Sequence, residues 1–131
     1  MSFFNSFRKH LYRFFSKEEE TDAIAIQPEL NKSLFRLFKK YGGTKKEKPV
    51  EFFFYTDSED KACNLAIELA KLHYEIYEIH PPENNNQDWS IIGLTTPLNM
   101  NEVEMTKWCE KMIQTGFETD CRFDGWGTLI E

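Results

Sequence analysis

Three histidines, His10, His73 and His80, and three cysteines, Cys63, Cys109 and Cys121, are the side chains of this chain best suited to chemistry. Their spacing does not support it. Acyl transfer needs a nucleophile beside a base, and no Gly-x-Ser-x-Gly, Cys-His or Glu-x-x-His pattern surrounds any of them. The six residues also lack the short spacings of metal ligands, and no glycine-rich loop opens a helix to hold phosphate. The sequence therefore predicts no catalytic residue, no metal and no cofactor. An odd number of widely spaced cysteines without a C-x-x-C pair fits reduced thiols buried for packing in a cytoplasmic protein. His73 is expected to end a helix, where a cation complements the dipole.

The unusual local chemistry lies near the end, at Asp124-Gly125-Trp126-Gly127. Glycines on both sides of an indole free the backbone from side-chain crowding and are poor residues for a regular strand, so they predict a bulge or a close backbone approach. Two roles are open for these four residues, a structural turn around a core tryptophan and a contact for a partner.

Charge narrows the partner. The net charge of −6 divides into +5 over residues 1–49, with 11 Lys/Arg against 6 Asp/Glu, and −11 over residues 50–131, with 5 against 16. An acidic body repels nucleic-acid phosphates and attracts Lys/Arg-rich surfaces, so a basic protein is the expected partner, without direct nucleic-acid binding.

Residues 1–27 read as an amphipathic helix and an acidic linker, residues 28–131 as the main domain. At 100° per residue Phe3, Phe4, Phe7, Leu11, Phe14 and Phe15 fall within an arc of about 120°, with Arg8, Lys9, Arg13 and Lys17 outside it. Such a face suits an anionic membrane surface, a groove on a partner or the protein's own domain. The corresponding address is cytoplasmic, with peripheral contact to the inner face of the membrane as one use of the helix. The acidic run from Lys17 to Asp22 is expected to fray, because acids at a helix C-terminus oppose the macrodipole.

A second helix is predicted from Pro28 to Tyr41, with Leu30, Leu34, Leu37, Phe38 and Tyr41 in one stripe and Gly42-Gly43 as its stop. Val50 to Tyr55 reads as a central strand. Asp57 or Ser58 caps a helix bearing Ala62, Leu65, Ala66, Leu69 and Leu72, and Tyr74 to Ile79 returns as a strand. Trp89 to Thr95 is the next strand, Asn101 with Glu104 opens a helix lined by Met105, Trp108, Cys109 and Met112, and Phe117 to Phe123 closes the order. Between the halves, residues 80–88 form a polar loop. The resulting βαββαβ order predicts an α+β, ferredoxin-like sandwich, a four-stranded antiparallel sheet with two helices on one face, preceded by N-terminal helices. The free face carries either Phe53, Tyr55, Ile92 and Leu94 or Phe52, Phe54, Trp89 and Ile91, and the helix ending at Tyr41 is a candidate to cover it.

The same order suits an RNA-recognition motif, with Phe53, Tyr55 and Trp89 as stacking rings. Trp89-Ser90-Ile91-Ile92-Gly93-Leu94 lacks the Lys/Arg-Gly-aromatic run of that module, and the acidic body opposes it.

The strand Val50-Glu51-Phe52-Phe53-Phe54-Tyr55 after a Lys-Pro connector, the Leu/Ala-rich helix, Tyr74-Glu75-Ile76, Asp88-Trp89 and the closing Phe123-Asp124-Gly125-Trp126-Gly127-Thr128 together resemble the regulator of ribonuclease E activity B family, RraB. The likeness covers roughly residues 30–131, and the closing motif is its specific part. It implies a small acidic protein that binds ribonuclease E and inhibits its RNA processing by protein contact, with no catalysis of its own. The positions that carry over are Asp124, Gly125, Trp126 and Gly127, and the Phe/Arg-rich front is an addition to the pattern.

Overall fold

The structure, a computed structural model, describes residues 2–4, 17–40, 45–83 and 88–129. The elements run β1 (Ser2–Phe4), α1 (Lys17–Lys40), β2 (Glu47–Lys48), β3 (Glu51–Thr56), α2 (Glu59–Ala70), β4 (Glu75–His80), β5 (Trp89–Leu94), β6 (Leu98–Asn99), α3 (Glu102–Glu118) and β7 (Arg122–Leu129). The fold is α+β. Four strands form an antiparallel sheet in the order β7-β3-β5-β4, and the three residues of β1 pair antiparallel with the outer side of β7. A separate two-residue pair joins β2 to β6.

Phe3 and Phe4 therefore lie on a strand, not on the helical arc expected for them, with Phe3 opposite Thr128 and Phe4 opposite Gly127. An edge strand such as β7 has a row of unpaired backbone groups, and pairing with β1 satisfies them. Phe7, Leu11, Phe14 and Phe15 lie outside the described residues.

Helix α1 begins 11 residues before the expected start at Pro28, so the boundary drawn between residues 27 and 28 falls inside a helix. The reason is electrostatic and steric together. Glu19, Glu20 and Asp22 occupy the first turns of α1, where acids complement the dipole, and Lys39 and Lys40 occupy the last. Gln27, Asn31, Leu34, Phe35 and Phe38 are buried at helical spacing, and that face outweighs the hydrogen bond Pro28 cannot donate. Leu34 and Phe38 of the expected stripe are buried, whereas Leu37 is exposed and Tyr41 lies outside the described residues.

Helices α2 and α3 start at the expected places. Ser58 is the cap of α2, accepting from the Lys61 backbone N–H, while Asp57 holds the Lys61 ammonium at 2.9 Å. Asn101 Oδ1 accepts from the N–H groups of Val103 and Glu104 at 2.9 and 3.2 Å, satisfying two of the donors a helix start leaves free. Residue His73 falls past the end of α2, in a turn at φ 65°. The last strand begins later than expected. Helix α3 continues through Glu118 because Ile113 and Gly116 extend its buried face about one turn beyond Met112, and β7 then takes in the whole Asp124–Gly127 motif.

Among the described residues, two clusters make the core. Phe52, Phe54 and Ile91 pack beneath Ala62, Leu65 and Leu69 of α2 and Met112 of α3. Val50 and Trp126 pack with Leu34 and Phe35 of α1 and Met105 and Cys109 of α3. The parity left open by the sequence is thus resolved: Phe52, Phe54 and Ile91 face the helices, and Phe53, Tyr55, Ile92 and Leu94 face away. Helix α1 joins α3 on the helix-covered side instead of covering the other face. Gly93 must be glycine, since a Cβ there would sit 2.4 Å from both the Glu75 carbonyl oxygen and the Phe52 ring.

Candidate protein-binding groove

Gly125 sits at φ 127°, a backbone region that L side chains rarely adopt, and between Phe53 and Phe54 the pairing of β3 with β7 shifts by one residue. Phe53 pairs with Gly125 and Phe54 with Phe123, so Asp124 is the extra residue of a bulge. The bulge expected from the two glycines is present, and it keeps both Phe123 and Trp126 on the helix side of the sheet.

Trp126 is 1 % exposed and its ring lies 5.8 Å from that of Phe35. A buried indole N–H requires an acceptor, and Trp126 Nε1 donates to Asn31 Oδ1 at 2.8 Å. Gln27 Nε2 donates to the same oxygen at 2.9 Å, and Asn31 Nδ2 donates to Thr106 Oγ1 at 3.0 Å. Asn31, itself 0 % exposed, thereby joins α1, α3 and β7. Sequence reasoning missed Asn31 and Gln27, because polar residues on a helix read as solvent-facing; their i, i+4 spacing in phase with Leu34 and Phe38 is the signal that was there.

Outside this network, α1, α3 and β7 leave a groove of about 220 Å3. Ile26 and Leu30 form one wall, Ile113 and Phe117 the other, and Phe123, Gly125 and Trp126 the floor. Glu19, Asp22, Asp124 and Arg122 supply its charged groups, and the Arg122 guanidinium pairs with Glu19. Asp124, Gly125 and Trp126 are thus brought together at one groove. Gly127, the next residue, lies between Glu51 of β3 and Phe4 of β1.

The rings expected to act as an RNA platform do not share a face. Phe53 and Tyr55 lie on the side away from the helices, whereas Trp89 pairs with Thr56 on the helix side, and Tyr55 is 1 % exposed. Among the described residues no group of three or more His, Cys, Asp or Glu side chains is arranged to hold a metal ion.

The cysteines divide in a way the sequence did not anticipate. Burial pushes the Cys109 thiol up to about 12, partly offset by its contact with Asn31, and burial pushes Cys121 up to about 11. Cys63, expected to be buried, is exposed on α2. Since the thiolate is the reactive form, a maleimide reagent at neutral pH is expected to modify Cys63 in the native protein and all three cysteines in denaturant. Rapid native labelling of two or more thiols, counted by intact mass, would contradict the packing around Cys109 and Cys121.

An α+β domain with a rigid aromatic floor, an apolar groove and an acidic rim is the class of protein these features define. The chain belongs to the RraB family, described as regulator of ribonuclease activity B, which matches residues 29–128. No curated protein matches the chain. Among the described residues no helix is long and apolar enough to cross a membrane.

Proposed function

We propose that this protein is a non-catalytic, cytoplasmic regulator that binds a ribonuclease E-like enzyme and inhibits it by protein contact. The family match over residues 29–128 carries the reading. The sheet order β7-β3-β5-β4, with α2 and α3 on one face, supports a ferredoxin-like architecture for the binding body. Charge supports a basic partner surface: residues 50–131 carry −11, and the exposed side chains of Glu59, Asp60, Glu75, Glu78 and Glu102 spread that charge over α2, β4 and α3.

Exposed charge attraction is screened over about 8 Å at physiological ionic strength, so affinity for purified ribonuclease E is expected to fall as salt rises. Titration calorimetry at two salt concentrations, paired with an RNA cleavage assay, measures both halves of the reading. Tight binding that ignores salt sinks the electrostatic part, and undiminished cleavage at saturating regulator sinks inhibition.

A further inference from the structure

We propose that the sheet face turned away from the helices is the docking site of the chain's own front segment, residues 5–16, which lays Phe7, Leu11, Phe14 and Phe15 over Phe53, Tyr55 and Ile92. The packing is intramolecular and holds whether or not a nuclease is the partner. Tyr55 carries the assignment. It is 1 % exposed, yet it belongs to neither of the clusters packed under the helices, because it lies with Phe53 on the other side of β3. Its neighbours across the strands are Ser90 on β5 and Arg122 on β7. Cross-strand neighbours flank a ring and leave its outer surface to water, so a tyrosine buried on a central strand requires a layer above it. Among the described residues the helices pack on the opposite face.

Where the segment leaves the described chain and where it rejoins it identify the occupant. Residues 5–16 follow Phe4, which is in register with Gly127 and through it with Glu51. They precede Lys17, two residues before Glu19, the partner of Arg122 opposite Tyr55. The two anchor points thus bracket β3 from Glu51 to Tyr55, roughly 14 Å of strand. A stretch of that length spans roughly 18 Å even at the rise of a helix, enough to reach from one end to the other. Its chemistry matches the face. Phe7, Leu11 and Phe14 recur at helical spacing and give one apolar side for the apolar surface of Phe53, Tyr55, Ile92 and Leu94. Arg8, Lys9 and Arg13 are opposite in sign to Glu51, Glu75 and Glu78, which border Leu94 and Ile92 across the strands. Glu51 accepts from the Tyr77 hydroxyl and Glu78 lies 3.4 Å from His80 Nδ1; no described Lys or Arg pairs with the three carboxylates. An anionic bilayer competes for the same front residues, but taking them would leave Tyr55 in water.

The experiment uses the full chain and hydroxyl-radical footprinting read residue by residue by mass spectrometry. In wild-type protein Tyr55 is expected to be protected and Tyr77, 50 % exposed on the same sheet, to be modified. Phe7→Glu/Phe14→Glu is expected to raise the modification of Tyr55 severalfold, while Phe52 and Trp126, buried on the helix side, keep their wild-type protection. That retained protection also establishes that the variant is folded, and a folded variant whose Tyr55 stays protected overturns the assignment. Should the variant unfold, a benzophenone amino acid placed at Leu11 of the otherwise unchanged chain decides instead. Photocrosslinks within one molecule to residues 51–56 or 89–94, retained when phosphatidylglycerol vesicles are added, support the packing. Crosslinks elsewhere in the molecule, to a second molecule or to lipid overturn it.

Discussion

Trp126→Ala is expected to cost about 3 to 5 kcal/mol of unfolding free energy, the range for truncating a buried tryptophan. The indole is 1 % exposed, lies against Phe35 and donates to Asn31, so its loss opens a cavity among Leu34, Val50, Met105 and Cys109 and removes a donor from a buried acceptor. Trp126→Phe separates the two contributions. It keeps most of the aromatic packing and removes the N–H, with an expected cost of about 1 to 2 kcal/mol. Urea unfolding of both variants is the measurement. A near-wild-type midpoint for Trp126→Ala, accompanied by lost partner binding, would move this residue from scaffold to contact surface.

Replacing Asn31 by Leu is expected to destabilise the protein by about 2 to 4 kcal/mol even though it adds apolar surface, because orphaned buried donors cost about 1 to 3 kcal/mol each. The Trp126 and Gln27 N–H groups would both lose their acceptor in a region where Gln27 is 6 % exposed and water is largely excluded. A shared hydrogen bond also makes the effects of Asn31→Leu and Trp126→Phe non-additive, the double variant being less destabilised than the sum of the single ones. Additive losses in the unfolding experiment would show that the two side chains act independently and that α1 is held by packing alone. The same network also fixes the floor of the groove.

Much of the secondary structure was legible because it follows from local rules. Alternating and β-branched or aromatic residues mark β3 and β5, Ser58 and Asn101 cap α2 and α3, and apolar residues at helical spacing mark the faces those helices bury. Glycines flanking an indole announced the bulge in β7. The motif was also recognisable as that of the RraB family, to which the chain belongs.

Tertiary structure decided the rest. Parity of the sheet cannot be read from Val50 to Tyr55, where both faces are apolar, and it is fixed only by which face receives α2 and α3. The start of α1 was misplaced because Glu18 to Asp22 favours a helix beginning there as much as it disfavours one ending there, and the packing of Gln27 and Asn31 on α3 and β7 selects the former. Ser2–Phe4 has a helical pattern that yields to pairing with β7, since backbone groups at a sheet edge gain partners that an amphipathic arc cannot provide. The groove exists only where α1, α3 and β7 meet: residues 19–30 and 113–126 are far apart in the chain, and no local period carries information about their distance in space.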